Sequence, residues 1–368
     1  VLLTMLEISN QVITYKQLVT GNYQIGNDLY GIASYVLTPS RIAAVKNCPF
    51  NISDNACAYF FVNVDGIVAA RVQLFGTQFY VDGKVNPSGS GSSWETAECF
   101  RHQALGAEVM LFTSTNDEYE TFIASGISDM ALPLYKKLRY YILEFPRIMQ
   151  LRNAYSILEC KGLNGTWLKV VSTLVNLPLK LFIVYSKHKG KKLLKEYQVE
   201  KVIKVPEWVD NIVLNDGHKY MEAHDHRWLQ WNLDYNFRGL PQDIQSFYTI
   251  KKKGEPVGFF MTKERFRKKA GGLKNILIGA IMEWGSVNEK QLSEADIYKM
   301  AQTTFSREVD IVEAATANPA TVEKMKVCGF ISHGYAHIAF KDKKKKYKDA
   351  SDINLWRVRY GYADVLLT

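Results

Sequence analysis

The sequence predicts an α/β protein with a mixed, mostly antiparallel sheet flanked by helices, and it predicts this architecture twice in one chain. β-Hairpin patterns with glycine-containing turns occur in both halves, at residues 58–83 and 248–261. In each half the hairpins precede alternating helix and strand patterns. The chain has 368 residues, a length that suggests two domains.

The first half begins with an antiparallel meander over residues 58–86. Its apolar runs are separated by Asp65-Gly66 and Asp82-Gly83, and an Asp-Gly pair between such runs is a strong signal of a tight turn. The serine- and glycine-rich residues 87–93 predict a loop. A short strand is predicted at 94–100.

A helix–strand alternation follows the meander. Leu105, Val109 and Phe112 have helical spacing and predict a helix over residues 103–115. Ser128 or Asp129 can cap a further helix. Strands are predicted at 121–124, 140–145 and 154–160.

The second half repeats this order of elements. After its hairpin come a strand at 275–284, a helix at 293–305, a strand at 309–314, a helix at 319–326 and a strand at 334–340. Because hairpins precede the alternation in both halves, the pattern excludes a doubly wound nucleotide fold and indicates an internal duplication. We therefore predict an N-terminal domain at 1–162, a helical basic linker at 163–204 and a C-terminal domain at 205–368.

Composition and charge narrow the functional class. The apolar fraction of 47% and the charged fraction of 23% are ordinary for a soluble globular protein. The net charge of +9 favours an anionic partner such as a nucleotide-like cofactor or an anionic membrane. The chain has neither an aromatic-interleaved basic stripe nor zinc-finger spacing, so we do not expect it to bind nucleic acid.

The most apolar stretch of the sequence is 167–185. Its Lys169, Asn176 and Lys180 disfavour a membrane span and favour a buried or interfacial helix. Together with the basic residues that follow, segment 167–192 is expected to be able to contact a membrane surface.

Five widely spaced cysteines predict reduced thiols, and no secretory signal is recognised. The expected location is the cytoplasm, with a peripheral position at the inner membrane as an alternative.

A turn of small residues joins the predicted strand at 94–100 to the helix at 103–115. The first N–H groups of a helix have no internal partner, and the helix dipole adds positive potential there. Such a turn can bind a pyrophosphate, and small residues let the backbone approach it closely. Taken alone, the pattern also fits an ordinary tight turn.

Residues 101–106, Arg-His-Gln-Ala-Leu-Gly, resemble the R-x-x-G-x-G/A signature of the GNAT superfamily. Arg101 and Gly106 match the signature, whereas Ala104 stands where the family usually has glycine. In that family the signature holds the pyrophosphate of acyl-CoA.

A second GNAT motif, N-x-x-A-x-x-x-Y-x-x-x-G-F, is similar to residues 128–140. Ala131 and Tyr135 match it, Ser128 replaces the asparagine, and Arg139-Tyr140 replaces Gly-Phe. The resemblance covers roughly residues 12–160.

The second motif recurs in the second half at residues 318–330. Asn318, Gly329 and Phe330 match, and Met325 stands at the tyrosine position. No pyrophosphate signature precedes this copy. The resemblance therefore implies two tandem GNAT folds, of which the second is degenerate and lacks a working CoA site.

The resemblance implies an acyl-CoA-dependent N-acyltransferase. It implies transfer of an acetyl group from acetyl-CoA, by direct attack of an amine acceptor in a ternary complex without a metal. The implied cofactor-binding residues are Trp94, Thr96, Arg101, His102, Gln103, Ala104, Leu105, Gly106, Ala107 and Ser128.

The same resemblance assigns the catalytic roles. Tyr135 is the expected acid for the departing thiolate, and Glu95 and Glu98 are candidate bases for the amine. A strand N–H within residues 94–97 is expected to polarise the thioester carbonyl. The acceptor, a small-molecule or sugar amine, is expected in a cleft between the two domains.

Two other functions remain open at this point. One is a Fem-like aminoacyltransferase that uses aminoacyl-tRNA, and the other is a non-catalytic binding protein with the same fold.

The spacing of His218, His224, Asp225 and His226 fits no standard zinc site, so a structural or surface role is expected for them.

Overall fold

The computed structural model describes residues 6–270 and 272–367, and its framework is a single 13-stranded sheet. The first half contributes β1 (Ile8–Thr14), β2 (Cys57–Val64), β3 (Ile67–Val81), β4 (Lys84–Thr96), β5 (Thr121–Ser125) and β6 (Tyr141–Leu151). The second half contributes β7 (Gln198–Val202), β8 (Tyr220–Glu222), β9 (Ile244–Lys252), β10 (Glu255–Ala270), β11 (Leu273–Ser286), β12 (Ile311–Ala315) and β13 (Phe330–Asp342).

Helices flank this sheet. In the first half they are α1 (Tyr15–Thr20), α2 (Ile32–Val36), α3 (Pro39–Lys46), α4 (Leu105–Thr115), α5 (Leu132–Lys137) and α6 (Tyr155–Cys160). The long α7 (Gly165–Leu193) connects the halves, and α8 (Val209–Leu214), α9 (His226–Asp234), α10 (Glu294–Ala301) and α11 (Pro319–Lys326) follow it. Short 3-10 helices occupy Glu98–Gln103, Ile353–Leu355 and Ala363–Leu366.

The two halves exchange strands at the centre of the sheet. The strand order is β1-β2-β3-β4-β5-β13-β6-β12-β11-β10-β9-β7, with β8 paired to β3 outside this path. Strand β13 of the second half thus lies beside β5, with Ala339 opposite Ala124. Strand β6 of the first half pairs with β12, with Ile148 opposite Ala314. Backbone hydrogen bonds therefore join the two halves into one continuous sheet.

Two parallel pairs lie in equivalent places of the two halves. Strands β4 and β5 are parallel, as are β11 and β12. The other strand pairs in the described part of the chain are antiparallel. The predicted mixed, mostly antiparallel sheet with flanking helices is confirmed. Helix α7 lies within segment 163–204, between the two halves.

Three local predictions were wrong. Residues 87–93, predicted as a loop, belong to β4 because their small side chains fit the buried ladder: Ser88 and Ser90 donate to the Thr121 and Ile123 carbonyls at 3.1 and 2.9 Å. The strand predicted at 94–100 ends at Thr96 and gives way to a 3-10 turn. Residues 154–160 form α6 instead of a strand, because the Asn153 side chain accepts the Tyr155 N–H and starts a helical turn.

The C-terminal segment is held by strands of the second half and reaches β5 of the first half. The Arg357 N–H donates to the Tyr220 carbonyl at 2.8 Å, and the Gly361 N–H donates to the Met282 carbonyl at 2.8 Å. The Ser125 hydroxyl at the end of β5 then donates to the Tyr362 carbonyl at 2.5 Å. These contacts bring residues 357–365 to the edge of the central strands.

Candidate active site

The two parallel strands of the first half separate and leave a cavity between them. β4 and β5 pair at Gly89–Phe122 and Ser90–Ile123, and the strands diverge beyond these residues. The cavity has a volume of about 330 Å³, and its walls come from β4, α4, the residues after β5 and Val365. A strand edge without a partner strand presents peptide N–H and C=O groups to whatever enters.

Strand β4 is bulged beside this first cavity. Its register with β3 shifts between Arg71 and Gln73, and Ser93 has a φ of 55°. A bulge leaves its extra residue outside the regular ladder and re-aims the neighbouring groups. Ser93 and Trp94 both line the cavity. The segment predicted to polarise a thioester carbonyl therefore begins where regular pairing is broken.

A second cavity, of about 370 Å³, adjoins the first and opens at the start of α4. The two share Trp94, Ser128 and Ala131 as lining residues. Seven of the predicted cofactor-binding residues line the second cavity: Trp94, Thr96, Arg101, Ala104, Gly106, Ala107 and Ser128.

The N-terminus of α4 has no side-chain cap. Ala104 occupies the N-cap position with a φ of 58° and a ψ of 10°, and its side chain makes no capping hydrogen bond. The exposed Arg101 lies on the same wall, with Nε 3.4 Å from the Thr96 carbonyl oxygen. Uncapped N–H groups beside a guanidinium form a site suited to an anion.

The corresponding helix of the second half is capped by its own side chains. Ser293 accepts the Asp296 N–H at 3.3 Å, and Glu294 and Asp296 place two carboxylates in the first turn of α10. Glu294 is buried and accepts hydrogen bonds from Tyr298 and Thr316 at 2.9 and 2.7 Å. Negative charge at a helix N-terminus repels a phosphate, so this end of α10 is unsuited to a pyrophosphate.

Two positions that differ from the GNAT motifs keep the backbone conformation of glycine. Ala104 has a φ of 58° and Arg139 a φ of 60°. Gly329, at the position of the second half that matches Arg139 in the motif, has a φ of 80°. The left-handed backbone conformation is thus present at both positions although the residue is not glycine.

Tyr135 lies in the wall of the first cavity, next to Trp94, which lines both cavities. It is 7% exposed and lines the first cavity. Its ring contacts Trp94 edge-on at 6.1 Å between centroids, and Tyr140 packs against it at 5.0 Å. Packing on both sides fixes the position of the phenol beside the cavity.

Of the remaining predicted site residues, only Glu95 lines one of these cavities. Glu95 lines the second cavity, but its carboxylate is ion-paired with the buried Arg71. Glu98, His102 and Gln103 are exposed on the 3-10 turn and line none of these cavities, and Leu105 is buried in the core.

A third cavity, of about 270 Å³, adjoins the first and was not predicted from the sequence. The first and third cavities share Ser125, Gly126, Ile127 and Val365. Three arginines line the third cavity, from β6, β10 and the C-terminal segment: Arg147, Arg265 and Arg359.

Two of these arginines share one carboxylate. Glu313 lies 3.1 Å from Arg147 and 3.7 Å from Arg265, and it also accepts the Tyr360 hydroxyl at 2.6 Å. Arg265 is 7% exposed, and its Nε has no hydrogen-bond partner among the described residues. The cavity therefore holds uncompensated positive charge. The alternation of Lys263, Arg265 and Arg267 along β10 is the sequence signal that could have indicated it.

The residues of the histidine-rich segment have carboxylate or backbone partners. His224 lies between Glu283 and Glu222, and Asp225 caps α9 by accepting two backbone N–H groups. Within residues 6–270 and 272–367, no group of three or more histidine, cysteine or acidic side chains is arranged to hold a metal ion.

Comparison with known proteins identifies the fold. No protein-family model and no curated protein sequence matches the chain. The structure is similar to a GCN5-related N-acetyltransferase from Anabaena variabilis, with a TM-score of 0.53 and 10% identity over 92% of this chain and 73% of that one. It is also similar to Saccharomyces cerevisiae N-myristoyltransferase with bound myristoyl-CoA, with a TM-score of 0.59 and 12% identity over 93% of this chain and 80% of that one. The chain therefore has the fold of the GNAT superfamily.

Proposed function

We propose that the chain is an acyl-CoA-dependent N-acyltransferase that moves an acetyl group to an amine acceptor. The observation that carries the proposal is the arrangement of three cavities that share lining residues. The uncapped helix N-terminus beside Arg101 borders the second cavity, which shares residues with the space between β4 and β5. That space shares residues with the cationic cavity at the junction of the halves. This order suits the pyrophosphate, the thioester arm and the acceptor in turn.

The proposed reaction is a direct transfer. The acceptor nitrogen attacks the thioester carbonyl, a C–N bond forms and the C–S bond breaks. Peptide N–H groups at the β4 bulge stabilise the developing oxyanion. Tyr135 donates a proton to the departing CoA thiolate, and the amine gives up a proton to a base. Holding both substrates in adjoining cavities supplies much of the rate enhancement.

The first cavity favours a short acyl chain. It must hold the end of the pantetheine arm as well as the acyl group, and its volume is about 330 Å³. Met110, Phe122 and Tyr135 close its walls. Acetyl is therefore our preferred acyl group.

The third cavity favours an acceptor that carries an anionic group, a carboxylate or a phosphate, besides its amine. Arg147 and Arg265 share the single carboxylate of Glu313, and the Arg265 Nε offers an unused donor. A buried guanidinium gains most from a paired anion that satisfies its remaining N–H groups.

His337 is an additional candidate base. It lines the third cavity, and its Nε2 lies 3.0 Å from a Glu144 carboxylate oxygen. A carboxylate partner fixes the orientation of an imidazole ring. Of the two glutamates expected as bases, Glu95 is held by Arg71 and Glu98 lies outside the cavities.

The proposal is tested by calorimetry followed by a thiol-release assay. We expect acetyl-CoA to bind, and CoA thiol to be released with amines that carry a carboxylate or phosphate but not with their uncharged amide or alcohol analogues. Arg265→Gln is expected to raise KM for the anionic amine at least tenfold and to leave acetyl-CoA affinity unchanged.

The outcomes separate the competing functions. Failure to bind acetyl-CoA refutes the proposal, and retention of aminoacyl-tRNA in a filter-binding assay would then support a Fem-like transferase. Acetyl-CoA binding without thiol release for any amine class would support a non-catalytic binding protein.

A further inference from the structure

The long helix α7 packs on the protein with one side, on which three of the four buried residues are small. It runs from Gly165 to Leu193, and its buried residues are Leu168, Ser172, Ser186 and Gly190. A β-carbon on Gly190 would lie 2.3 Å from the Lys299 carbonyl oxygen, so the helix and α10 are in close contact there. These buried residues are spread over most of the length of α7, so the helix lies lengthwise on the rest of the protein.

The opposite side of α7, which we call the outer face, is apolar and exposed. Its large side chains recur at spacings of three and four residues over five turns, so they share one side of the helix. They are 38–74% exposed: Trp167, Val170, Leu174, Leu177, Leu181, Val184 and Tyr185. A helix in water normally shows the reverse distribution.

Lysines border the outer face. α7 contains six lysines and neither aspartate nor glutamate. Lys189, Lys191 and Lys192 are exposed at its C-terminal end. Lys169, near its N-terminal end, and Lys180, near its middle, are exposed as well. An apolar face flanked by cationic side chains matches the acyl and headgroup layers of an anionic bilayer.

We propose that α7 is a membrane-docking helix that lies in the plane of an anionic lipid surface with its outer face among the acyl chains. The long lysine side chains can reach up to the phosphate groups from the helix flanks. This inference does not depend on the proposed acyltransferase activity.

The sheet excludes a membrane-spanning position for α7. Strand β6 precedes the helix and β12 follows it, yet the two are hydrogen-bonded neighbours from Ile311–Leu151 to Ala315–Arg147. The two ends of a spanning helix would place these strands on opposite sides of the bilayer. Although α7 is long and apolar enough to span, the folded protein can therefore only present it sideways.

An apolar groove lies beside the outer face. It has a volume of about 360 Å³ and is lined by Pro178, Leu181, Phe182, Tyr185 and Val327. Val327, at the end of α11, is 59% exposed and extends the apolar surface beyond the helix. This groove is where the end of a lipid acyl chain would pack.

The experiment is vesicle co-sedimentation of the full chain. Wild type is expected to pellet with vesicles of phosphatidylglycerol and phosphatidylcholine and at least tenfold less with phosphatidylcholine alone. The double variant Leu174→Glu/Leu181→Glu should lose at least tenfold in partitioning. Its control is Leu29→Glu/Ile203→Glu, two exposed side chains (61% and 88%) outside α7, which should pellet like wild type.

A charge variant and a stability check complete the test. Lys189→Glu/Lys192→Glu should weaken binding to anionic vesicles at least tenfold, and melting temperatures should show that each variant is folded. Failure of wild type to pellet with anionic vesicles, or unchanged pelleting of Leu174→Glu/Leu181→Glu, overturns the proposal. A dimer in analytical ultracentrifugation that the same variant abolishes, without vesicle binding, would assign the outer face to a second copy of the chain instead.

Discussion

The backbone of Gly106 in the first turn of α4 lies directly against the side chain of Thr96 at the end of β4. A β-carbon on Gly106 would be 2.8 Å from Thr96 Oγ1 and 3.4 Å from the Trp94 ring. The glycine thus lets the uncapped helix end sit close to the strand, where both border the second cavity.

Gly106→Trp is expected to abolish acetyl-CoA binding. The indole would occupy the space between the helix end and β4 in which we place the pyrophosphate. Isothermal calorimetry should give a measurable Kd for wild type and no heat for the variant.

The matched control is Thr115→Trp, which introduces the same indole side chain at the exposed far end of the same helix. It should bind like wild type. Equal binding by Gly106→Trp and Thr115→Trp would remove the pyrophosphate from the start of α4.

Tyr135→Phe is expected to lower kcat by roughly 10²- to 10⁴-fold while acetyl-CoA affinity changes less than threefold, because a general acid typically contributes a factor of this size. The ring would keep its contacts with Trp94 and Tyr140. Steady-state kinetics and calorimetry on the same preparation separate the two effects.

Tyr140→Phe is the control for this substitution. Its hydroxyl is 3.0 Å from the Ser114 hydroxyl and lines none of the three cavities. We expect some loss of stability and nearly normal kcat. Equal kcat values for Tyr135→Phe and wild type would exclude the phenol as the acid.

The sequence predicted the bounds of a helix correctly where the capping residues lie next to it in the chain. Helix α11 spans Pro319–Lys326, as predicted, because Asn318 accepts the Ala320 N–H at 3.0 Å and proline suits the first helical position. The turn before α4 was recognised because its residues are consecutive, although α4 has no side-chain cap. Its role in binding a pyrophosphate stays a prediction.

Non-local pairing could not be predicted in this way. Nothing near residue 141 indicates that β6 pairs with β12 and β13 of the other half. The third cavity depends on this exchange, because Arg147, Arg265 and Arg359 come from three distant segments. Residues 87–93 were misjudged since glycine and serine favour loops locally, whereas burial against Tyr119 and Phe122 favours small residues in a strand.

Ala104→Gly is expected to stabilise the protein by about 0.5–1 kcal/mol. The substitution removes the cost of an L-residue in the left-handed region, roughly 1–2 kcal/mol. The greater conformational entropy of glycine in the unfolded chain offsets part of this gain. Ala104 has a φ of 58°. Chemical denaturation measures the change. Acetyl-CoA affinity should be equal or higher, since a methyl group is removed from the wall of the second cavity.

Ala107→Gly provides the comparison for this prediction. Ala107 lies inside the first turn of α4, where the same loss of a methyl group should destabilise by about 0.5–1 kcal/mol. If both substitutions lower the free energy of unfolding alike, the left-handed conformation of Ala104 carries no strain.

The stability of the protein is expected to fall between about pH 6.5 and pH 9 because of His224. The ring is fully buried, with Nδ1 2.8 Å from Glu283 Oε1 and Nε2 3.2 Å from Glu222 Oε2. Burial disfavours the imidazolium, but the carboxylates of Glu283 and Glu222 outweigh it and raise the pKa of His224 to about 9.

The sign follows from proton uptake. The unfolded histidine has a pKa near 6.5, so above that pH the folded state binds the extra proton. The stabilisation is complete below about pH 6.5 and is lost as the pH rises through the folded pKa. Its size is on the order of 3 kcal/mol, since one pKa unit corresponds to about 1.4 kcal/mol.

Urea denaturation of wild type and His224→Gln at pH 6.0, 7.5 and 9.5 measures this contribution. The variant should be much less stable than wild type at pH 6.0, and the difference should shrink towards pH 9.5. His188→Gln, an exposed histidine of α7, should follow wild type throughout. A constant difference between wild type and His224→Gln across this range would mean that the buried ring is neutral in the folded protein.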